Sequence, residues 1–95
     1  MIASFGDQTT EDIYNDVRSK AARKINPSLW KVVQRKLDML DAAISLNDLK
    51  SPGNQLEKLK GDRGGFWSIR VNDQYRVVFR YENGQASDVV CIDVH

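Results

Sequence analysis

The chain is 95 residues long, a length at which only about 60–65% of the unfolded surface is buried, and we expect one domain over residues 1–95. Hydrophobic residues make up 41% and charged residues 28%, which excludes disorder and a membrane-spanning chain. One cysteine and one histidine cannot form an internal disulfide or a structural metal cage, so neither a metal nor a cofactor is expected. The sequence does not start with a basic segment and a long apolar one, so we expect no secretory signal, a cytoplasmic location and no membrane partner.

The net charge is +1, but the charges are unevenly distributed. Residues 17–36 contain seven basic residues and no acidic one, and residues 49–80 contain seven basic residues and three acidic ones. Because salt confines each field to about 8–10 Å, these two segments can attract phosphates on a nearly neutral protein. The alternative is that the basic residues form a solvated helix face and cross-strand ion pairs.

The first quarter of the chain predicts a strand and a helix. Residues 1–5 are largely apolar and predict an edge strand. Thr9 and Thr10 with the acids that follow them are typical of a helix start, because a hydroxyl caps open amides and acids suit the positive first turn. A stripe at four-residue spacing predicts a helix over about residues 10–24, and it consists of Ile13, Val17 and Ala21.

A second helix is predicted directly after the first. Asn26-Pro27 ends one helix and begins the next, because Asn caps well and Pro fits the first helical position. The apolar stripe of the second helix consists of Leu29 or Trp30, Val33, Leu37, Leu40 and Ile44. Residues 47–54 contain Ser-Pro-Gly-Asn and predict a loop.

The last third of the chain predicts strands over residues 66–71, 75–82 and 85–95. Asn83-Gly84 between the last two is typical of a tight hairpin turn in which both residues have positive φ. A three-residue loop at 72–74 would set Trp67 opposite Phe79, Ile69 opposite Val77 and Val71 opposite Tyr75, all on one apolar face.

Continued across the tight turn, this register has consequences for both faces of the sheet. It places Val77 opposite Val90 and Tyr75 opposite Ile92 on the apolar face, which the helices would cover. On the other face, Arg70 lies beside Arg76, Arg76 lies opposite Cys91, and Asp93 and His95 follow. Two opposed arginines repel unless something negative lies between them, so we expect an anion or an acid there. The alternative is a salt-bridged surface in which Asp93 and nearby carboxylates supply that charge.

Side chains of this kind can cleave RNA without a metal. A base removes the 2′-hydroxyl proton so that the oxygen attacks the adjacent phosphate, an acid protonates the departing 5′-oxygen, and cations stabilise the growing charge. Asp93 and His95 suit the proton transfers, because histidine titrates near neutral pH. The available cations are Lys60, Arg63, Arg70 and Arg76. The alternative is that a C-terminal histidine is frayed surface, and Cys91 is expected to be a buried structural thiol.

Several segments together resemble a known family, the HigB branch of the RelE-like toxins of bacterial type II toxin–antitoxin systems, the killer proteins of plasmid maintenance. The string from Pro52 to Arg76 is the most specific, with PGNQLE, LKGDR and WSIRVNDQYR in order. The other matching segments are residues 19–24, 29–32 and 93–95.

This resemblance implies an α+β RelE-like fold, which we expect in the order β-α-α-β-β-β with two helices on one face of an antiparallel sheet. It implies a ribosome-dependent endoribonuclease that cuts mRNA in the ribosomal A site. It also implies a HigA-like helix-turn-helix antitoxin as partner, and contact with operator DNA only through that antitoxin.

Position by position, the terminal Asp93 and His95 match the family's Asp-x-His, and we expect them to transfer protons. Arg76 matches the arginine after the Asn-Asp-x-aromatic segment and would stabilise the transition state. Lys60 and Arg63 match the Lys-Gly-Asp-Arg loop and, with Arg70, would bind the RNA backbone.

Two residues depart from the family pattern. Val94 replaces a common tyrosine, and the histidine that some members place before Leu-Lys-Gly is absent, with Glu57 or Lys58 there instead. The alternative function is therefore a catalytically weak homologue that acts mainly as an antitoxin-binding co-repressor. A third reading is an RNA or DNA binder unrelated to toxins, with salt-dependent binding and no cleavage.

Overall fold

The computed structural model describes residues 1–94, with two α-helices followed by a four-stranded antiparallel sheet. The helices are α1 (Gln8–Tyr14) and α2 (Trp30–Ala42). The strands are β1 (Glu57–Lys58), β2 (Trp67–Arg70), β3 (Tyr75–Glu82) and β4 (Gln85–Asp93), and they lie in the order β1-β2-β3-β4. The helices cover one face of the sheet, which confirms the predicted α+β class.

The core lies between the helices and that face. Its fully buried members come from both layers: Ile13, Val33, Leu37, Leu40, Leu49, Ile69, Val77, Phe79 and Val89. One polar contact joins α1 to the sheet, and another joins the two helices. The Cys91 backbone N–H donates to Thr10 Oγ1 at 2.9 Å, and the Gln34 side chain donates to the Ile13 carbonyl at 2.9 Å.

The first helix is shorter than predicted. Asp7 caps it by accepting from the Thr10 N–H at 2.8 Å, and it ends at Tyr14. Asp16 has a left-handed φ of 57°, which lets the Val17 N–H donate back to the Asp12 carbonyl at 2.8 Å and closes the helix end. The prediction of one helix over residues 10–24 is therefore wrong: Val17 is exposed, and a short 3₁₀ turn follows at Ala22–Lys24.

The second helix agrees more closely with its sequence pattern. The Asn26 side chain accepts from the Ser28 N–H at 2.9 Å, which confirms the predicted cap, and a 3₁₀ turn at Pro27–Leu29 leads into α2. Trp30 is buried and donates from Nε1 to the Ile25 carbonyl at 2.9 Å. Ile44 does not belong to the apolar stripe, because α2 ends at Ala42 and Ile44 is 82% exposed.

The predicted first strand is not a strand. Residues 1–5 make two isolated parallel bridges to β4, Ile2 with Ala86 and Phe5 with Val89. The fourth strand is instead β1, which pairs Glu57 with Ser68. The element order is therefore α-α-β-β-β-β, not β-α-α-β-β-β. The prediction missed β1 because its two exposed residues show no hydrophobic period.

The sheet register follows the prediction on one side of β3. Trp67 lies opposite Phe79 and Ile69 opposite Val77, as the three-residue loop predicts. The Asn72 side chain holds that loop by accepting from the N–H groups of Gln74 and Tyr75 at 2.9 and 2.8 Å. The tight turn is also confirmed, because its two residues, Asn83 and Gly84, have φ of 52° and 76°.

A β-bulge in β4 shifts the register on the other side of β3. Arg80 pairs with Ser87, but Val78 pairs with Val90, and Asp88 is the extra residue with a φ of 52°. Ser4 contacts the bulge, since its Oγ accepts from the Asp88 N–H at 2.9 Å.

Beyond the bulge, the predicted pairs between β3 and β4 are wrong by one residue. Val77 lies opposite Cys91 instead of Val90, and Tyr75 lies opposite Asp93 instead of Ile92. Arg76 consequently lies opposite Ile92 and not Cys91. Because side chains alternate along a strand, Cys91 and Asp93 belong to the face that the helices cover, not to the face of Arg76.

Candidate active site

A cleft of about 400 Å³ lies on the sheet face away from the helices. Its floor comes from β2, β3 and β4, and its wall comes from β1 and the loop that follows it. The lining residues are Glu57, Leu59, Lys60, Asp62, Arg63, Ser68, Arg76, Val78, Ile92 and Val94. Three cations thus face two carboxylates, so the cleft has a small positive excess suited to a phosphate between them.

Arg76 is the most firmly held cation of the cleft. Its Nε donates to Ser68 Oγ at 2.8 Å, and its Nη2 donates to the Gln55 carbonyl and, at 3.4 Å, to the Ser68 carbonyl. These bonds fix the plane of the guanidinium group at the cleft surface. A fixed, planar donor fork is well suited to the oxygens of a phosphate.

Lys60 and Arg63 reach the cleft from a short loop. Lys60 precedes the 3₁₀ turn at Gly61–Arg63, and Gly61 has a φ of 70° that a residue with a Cβ rarely adopts. Both basic side chains line the cleft and are exposed. The structure therefore brings together three of the predicted residues, Lys60, Arg63 and Arg76.

Arg70 lies beside Arg76 in the register but outside the cleft lining. It forms a short ion pair with Asp73 in the loop between β2 and β3. Asp73 therefore supplies the negative charge that the opposed arginines led us to expect. The alternative of a salt-bridged surface named Asp93 and nearby carboxylates for this charge. The nearby carboxylate Asp73 pairs with Arg70, and the register shift places Asp93 opposite Tyr75 instead.

Asp93 lies at the end of β4, opposite Tyr75, and is not among the cleft-lining residues. Its Oδ2 accepts from Gln74 Nε2 at 2.9 Å. The next residue, Val94, donates its N–H to the Gln74 carbonyl at 2.8 Å and lines the cleft. His95 lies outside the described residues.

Cys91 is a core residue, as predicted. It is 5% exposed, and burial, followed by the charge of Asp7, raises the pKa of its thiol to about 12. A thiol of this kind is protonated at neutral pH and is not a nucleophile.

Sequence reasoning missed Glu57 and Ser68. Glu57 lies directly opposite Ser68 in the β1–β2 register, and both line the cleft next to Arg76. Ser68 could have been found, because it is a small polar residue between Trp67 and Ile69 on the strand face opposite to them. Glu57 had no such signal, since β1 has no recognisable pattern.

No three His, Cys, Asp or Glu side chains converge on a metal-sized site within residues 1–94. In the same range, no helix has the length and apolar character required to cross a bilayer.

Comparison with known proteins places this geometry in a family. Residues 3–95 match the model of the RelE-like toxin HigB of type II toxin–antitoxin systems. Toxin HigB-1 of Vibrio cholerae is 42% identical over 87 residues, which is 90% of each chain. Endoribonuclease HigB of Proteus vulgaris is 35% identical over 63 residues, covering 66% of this chain and 68% of the relative.

Solved structures show the same fold at low sequence identity. YoeB in the YoeB–YefM complex of Staphylococcus aureus superimposes with a TM-score of 0.62 at 18% identity, covering 100% of this chain and 98% of that one. The YoeB/ParE toxin of Agrobacterium tumefaciens gives a TM-score of 0.56 at 19% identity, over 97% and 98% of the chains. From the family match and the close relative, this chain belongs to the HigB-like RelE toxins of type II toxin–antitoxin systems.

Proposed function

We propose that the chain is a metal-independent endoribonuclease that cleaves mRNA in the ribosomal A site. The observation that carries the proposal is the guanidinium group of Arg76, held by Ser68 and Gln55 in a cleft that also contains Lys60 and Arg63. The name of the Proteus vulgaris relative, an endoribonuclease, supports the same reaction.

The cations have separate roles in this proposal. Arg76 stabilises the charge that grows on the phosphate oxygens as the 2′-oxygen attacks, because its donors are already oriented. Lys60 and Arg63 are exposed on the loop and bind the flanking RNA backbone. Arg70, which is paired with Asp73 outside the cleft lining, contributes charge at longer range.

Glu57 and Asp93 are the two candidates for the base that removes the 2′-hydroxyl proton. We assign the role to Glu57, because it lines the cleft opposite Ser68, whose hydroxyl accepts from Arg76. Asp93, the sequence-based choice, lies on the alternate face of β4 and accepts from Gln74. The sequence argument names His95 for proton transfer without choosing between acid and base; with Glu57 as the base, we assign to His95 the protonation of the departing 5′-oxygen.

The proposed partner is a HigA-like helix-turn-helix antitoxin, which neutralises the toxin and through which alone the toxin contacts operator DNA. The YoeB structure from Staphylococcus aureus supports an antitoxin partner, since that toxin was solved together with YefM. The proposed substrate complex is the ribosome with mRNA in its A site.

The test is induction of the toxin in bacteria that lack the antitoxin, with mapping of mRNA ends and growth. We expect growth arrest and new 5′ ends for the wild type, and loss of both for Glu57→Gln. Glu82→Gln at the exposed hairpin end is the matched control and stays toxic. If Asp93→Asn abolishes cleavage and Glu57→Gln does not, the base is Asp93 and the assignment of Glu57 is wrong.

A second candidate, an antitoxin-binding co-repressor with little cleavage, is favoured by Val94. This residue lines the cleft where the family commonly has tyrosine, so it supplies no hydroxyl or aromatic ring there. Normal growth with intact mRNA after induction would support this candidate and contradict the nuclease.

A further inference from the structure

A buried polar contact behind the cleft involves Lys36 on α2. Lys36 is 8% exposed, and its Nζ donates to Asn54 Oδ1 at 2.6 Å. Asn54 is 1% exposed and donates from Nδ2 to the Leu49 carbonyl at 3.2 Å. Neither residue lines the cleft.

Burial of an ammonium group is energetically costly. Burial, and then the charges of Arg35 and Arg70, lower the pKa of Lys36. A well-packed apolar side chain at such a position commonly gives equal or better stability. Packing alone therefore does not account for a lysine at this position.

Asn54 connects this contact to the cleft. It ends the 3₁₀ turn at Pro52–Asn54, and the next residue, Gln55, has a left-handed φ of 43°. That conformation directs the Gln55 carbonyl to Nη2 of Arg76. The position of the acceptor for Arg76 thus depends on a turn whose buried side chain is held by Lys36.

We propose that Lys36 and Asn54 are positioning residues for Arg76: their hydrogen bond holds the turn that aims the Gln55 carbonyl at the guanidinium group. They touch no substrate and act through Arg76 only. The consequence for catalysis rests on the nuclease function proposed above, but the consequence for the Arg76 side chain does not.

Removal of the ammonium leaves a buried acceptor on Asn54 without this donor, so the turn shifts toward another arrangement. The Gln55 carbonyl then moves relative to Arg76 and the guanidinium group loses its fixed orientation. Small misplacements of a catalytic group reduce the chemical step much more than they reduce substrate binding.

The test uses Lys36→Met, which keeps an unbranched side chain and removes the charge. Arg35→Met is the matched control, because Arg35 is the neighbouring, exposed cation of the same helix. Asn54→Ala removes the acceptor and provides a second variant. Circular dichroism and thermal unfolding select the variants that fold.

The first measurement is the exchange of the Arg76 Nη2 hydrogens with water, monitored by ¹⁵N NMR of the free toxin, because Nη2 is the donor to the Gln55 carbonyl. We expect faster exchange in Lys36→Met and Asn54→Ala than in the wild type, and no change in Arg35→Met. This readout does not require cleavage, so it decides the positioning role even if the nuclease function fails.

The second measurement is cleavage on programmed ribosomes. We expect kcat to fall on the order of 10- to 100-fold in Lys36→Met with a nearly unchanged KM. In Arg35→Met we expect kcat to be unchanged, because an exposed cation of that segment acts on binding and not on the bound complex. Unaltered Arg76 exchange in a folded Lys36→Met or Asn54→Ala variant overturns the inference, whatever happens to the rate. If the wild type cleaves, a kcat of folded Lys36→Met that equals the kcat of Arg35→Met also overturns the inference.

Discussion

Residues 49–80 and residues 17–36 each contain seven basic residues. The two segments differ in how far other groups of the protein fix these basic side chains. In the first, Arg76 is bonded to Ser68, Arg70 is paired with Asp73, and Arg80 lies 4.4 Å from the centre of the Phe66 ring. In the second, six side chains are exposed: Arg18, Lys20, Arg23, Lys24, Lys31 and Arg35. Both ion pairs found among residues 1–94 involve arginines of the first segment.

This contrast separates two uses of positive charge. A cation that is fixed before the substrate arrives costs no reorganisation during the reaction, so it suits transition-state stabilisation. Exposed cations on long side chains act through their summed field, which attracts a polyanion from a distance. Equal numbers of basic residues in a sequence therefore do not imply equal roles.

The strongest test of this contrast is Arg76→Lys, which keeps the charge but loses the planar fork. We expect the single-turnover rate of RNA cleavage on ribosomes to fall about 100- to 1000-fold, as for other preorganised donors. Arg23→Lys makes the same exchange in the exposed segment and serves as control, with little change in rate. Equal losses in the two variants would show that charge, not geometry, matters at both positions.

The bulge that sets the β4 register is tested by Asp88→Val. A β-branched residue at the φ of 52° is expected to lower the free energy of unfolding by about 1–2 kcal/mol, measured by urea titration. Asp88→Gly also removes the ion pair with Arg80 at 3.3 Å but tolerates the backbone, so we expect a smaller loss. Equal losses in the two variants would assign the stability to the ion pair, which both of them remove.

The exposed segment is tested by the double variant Lys20→Gln/Arg23→Gln. We expect weaker ribosome binding and a plot of log affinity against log salt whose slope is smaller by about one for each RNA phosphate that the variant no longer neutralises. The rate of cleavage once bound should not change. A wild-type salt slope in the variant would place these residues outside the RNA contact.

The smallest expected effect concerns the attachment of the exposed segment to α1. Ser19 Oγ donates to the Asp12 carboxylate at 2.5 Å, and Gln8 donates at 2.7 Å; these bonds lower the pKa of Asp12 from 3.8, in that order of effect. A lowered carboxyl pKa gives stability that is complete above pH 3.8 and is lost as the pH falls toward the lower value.

We therefore expect the stability difference between wild type and Ser19→Ala to shrink as the pH falls below 3.8. Thermal unfolding at a series of pH values measures this difference. A difference that is constant over this range would show that the Ser19 contact does not depend on the charge of Asp12.

Much of the fold was predictable because its signals are local. Asn26-Pro27 predicted the start of the second helical region, and Asn83-Gly84 predicted a turn in which both φ values are positive. The three-residue loop predicted the β2–β3 register, since only that length matches apolar residues across the strands. The register placed Arg76 on the face away from the helices, and the resemblance to the HigB family added Lys60 and Arg63; all three line the cleft.

Two of the errors share a physical cause. Asp16 and Asp88 both adopt left-handed φ without the glycine that usually indicates it, so neither the early end of α1 nor the bulge was predictable. The bulge then transferred Asp93 to the other face, and Glu57 remained unnoticed because its strand has two residues.

Side chains alternate along a strand, so the extra residue at position 88 decides which side chains of the last segment face the helices and which face the cleft. If the same residues paired without the bulge, Ile92 and Val94 would turn inward and Cys91 and Asp93 would come out on the face of Arg76. An apolar lining would be exchanged for a thiol and a carboxylate without any substitution. In this fold, a one-residue change of register in β4 therefore alters the chemistry of the cleft more thoroughly than most point mutations.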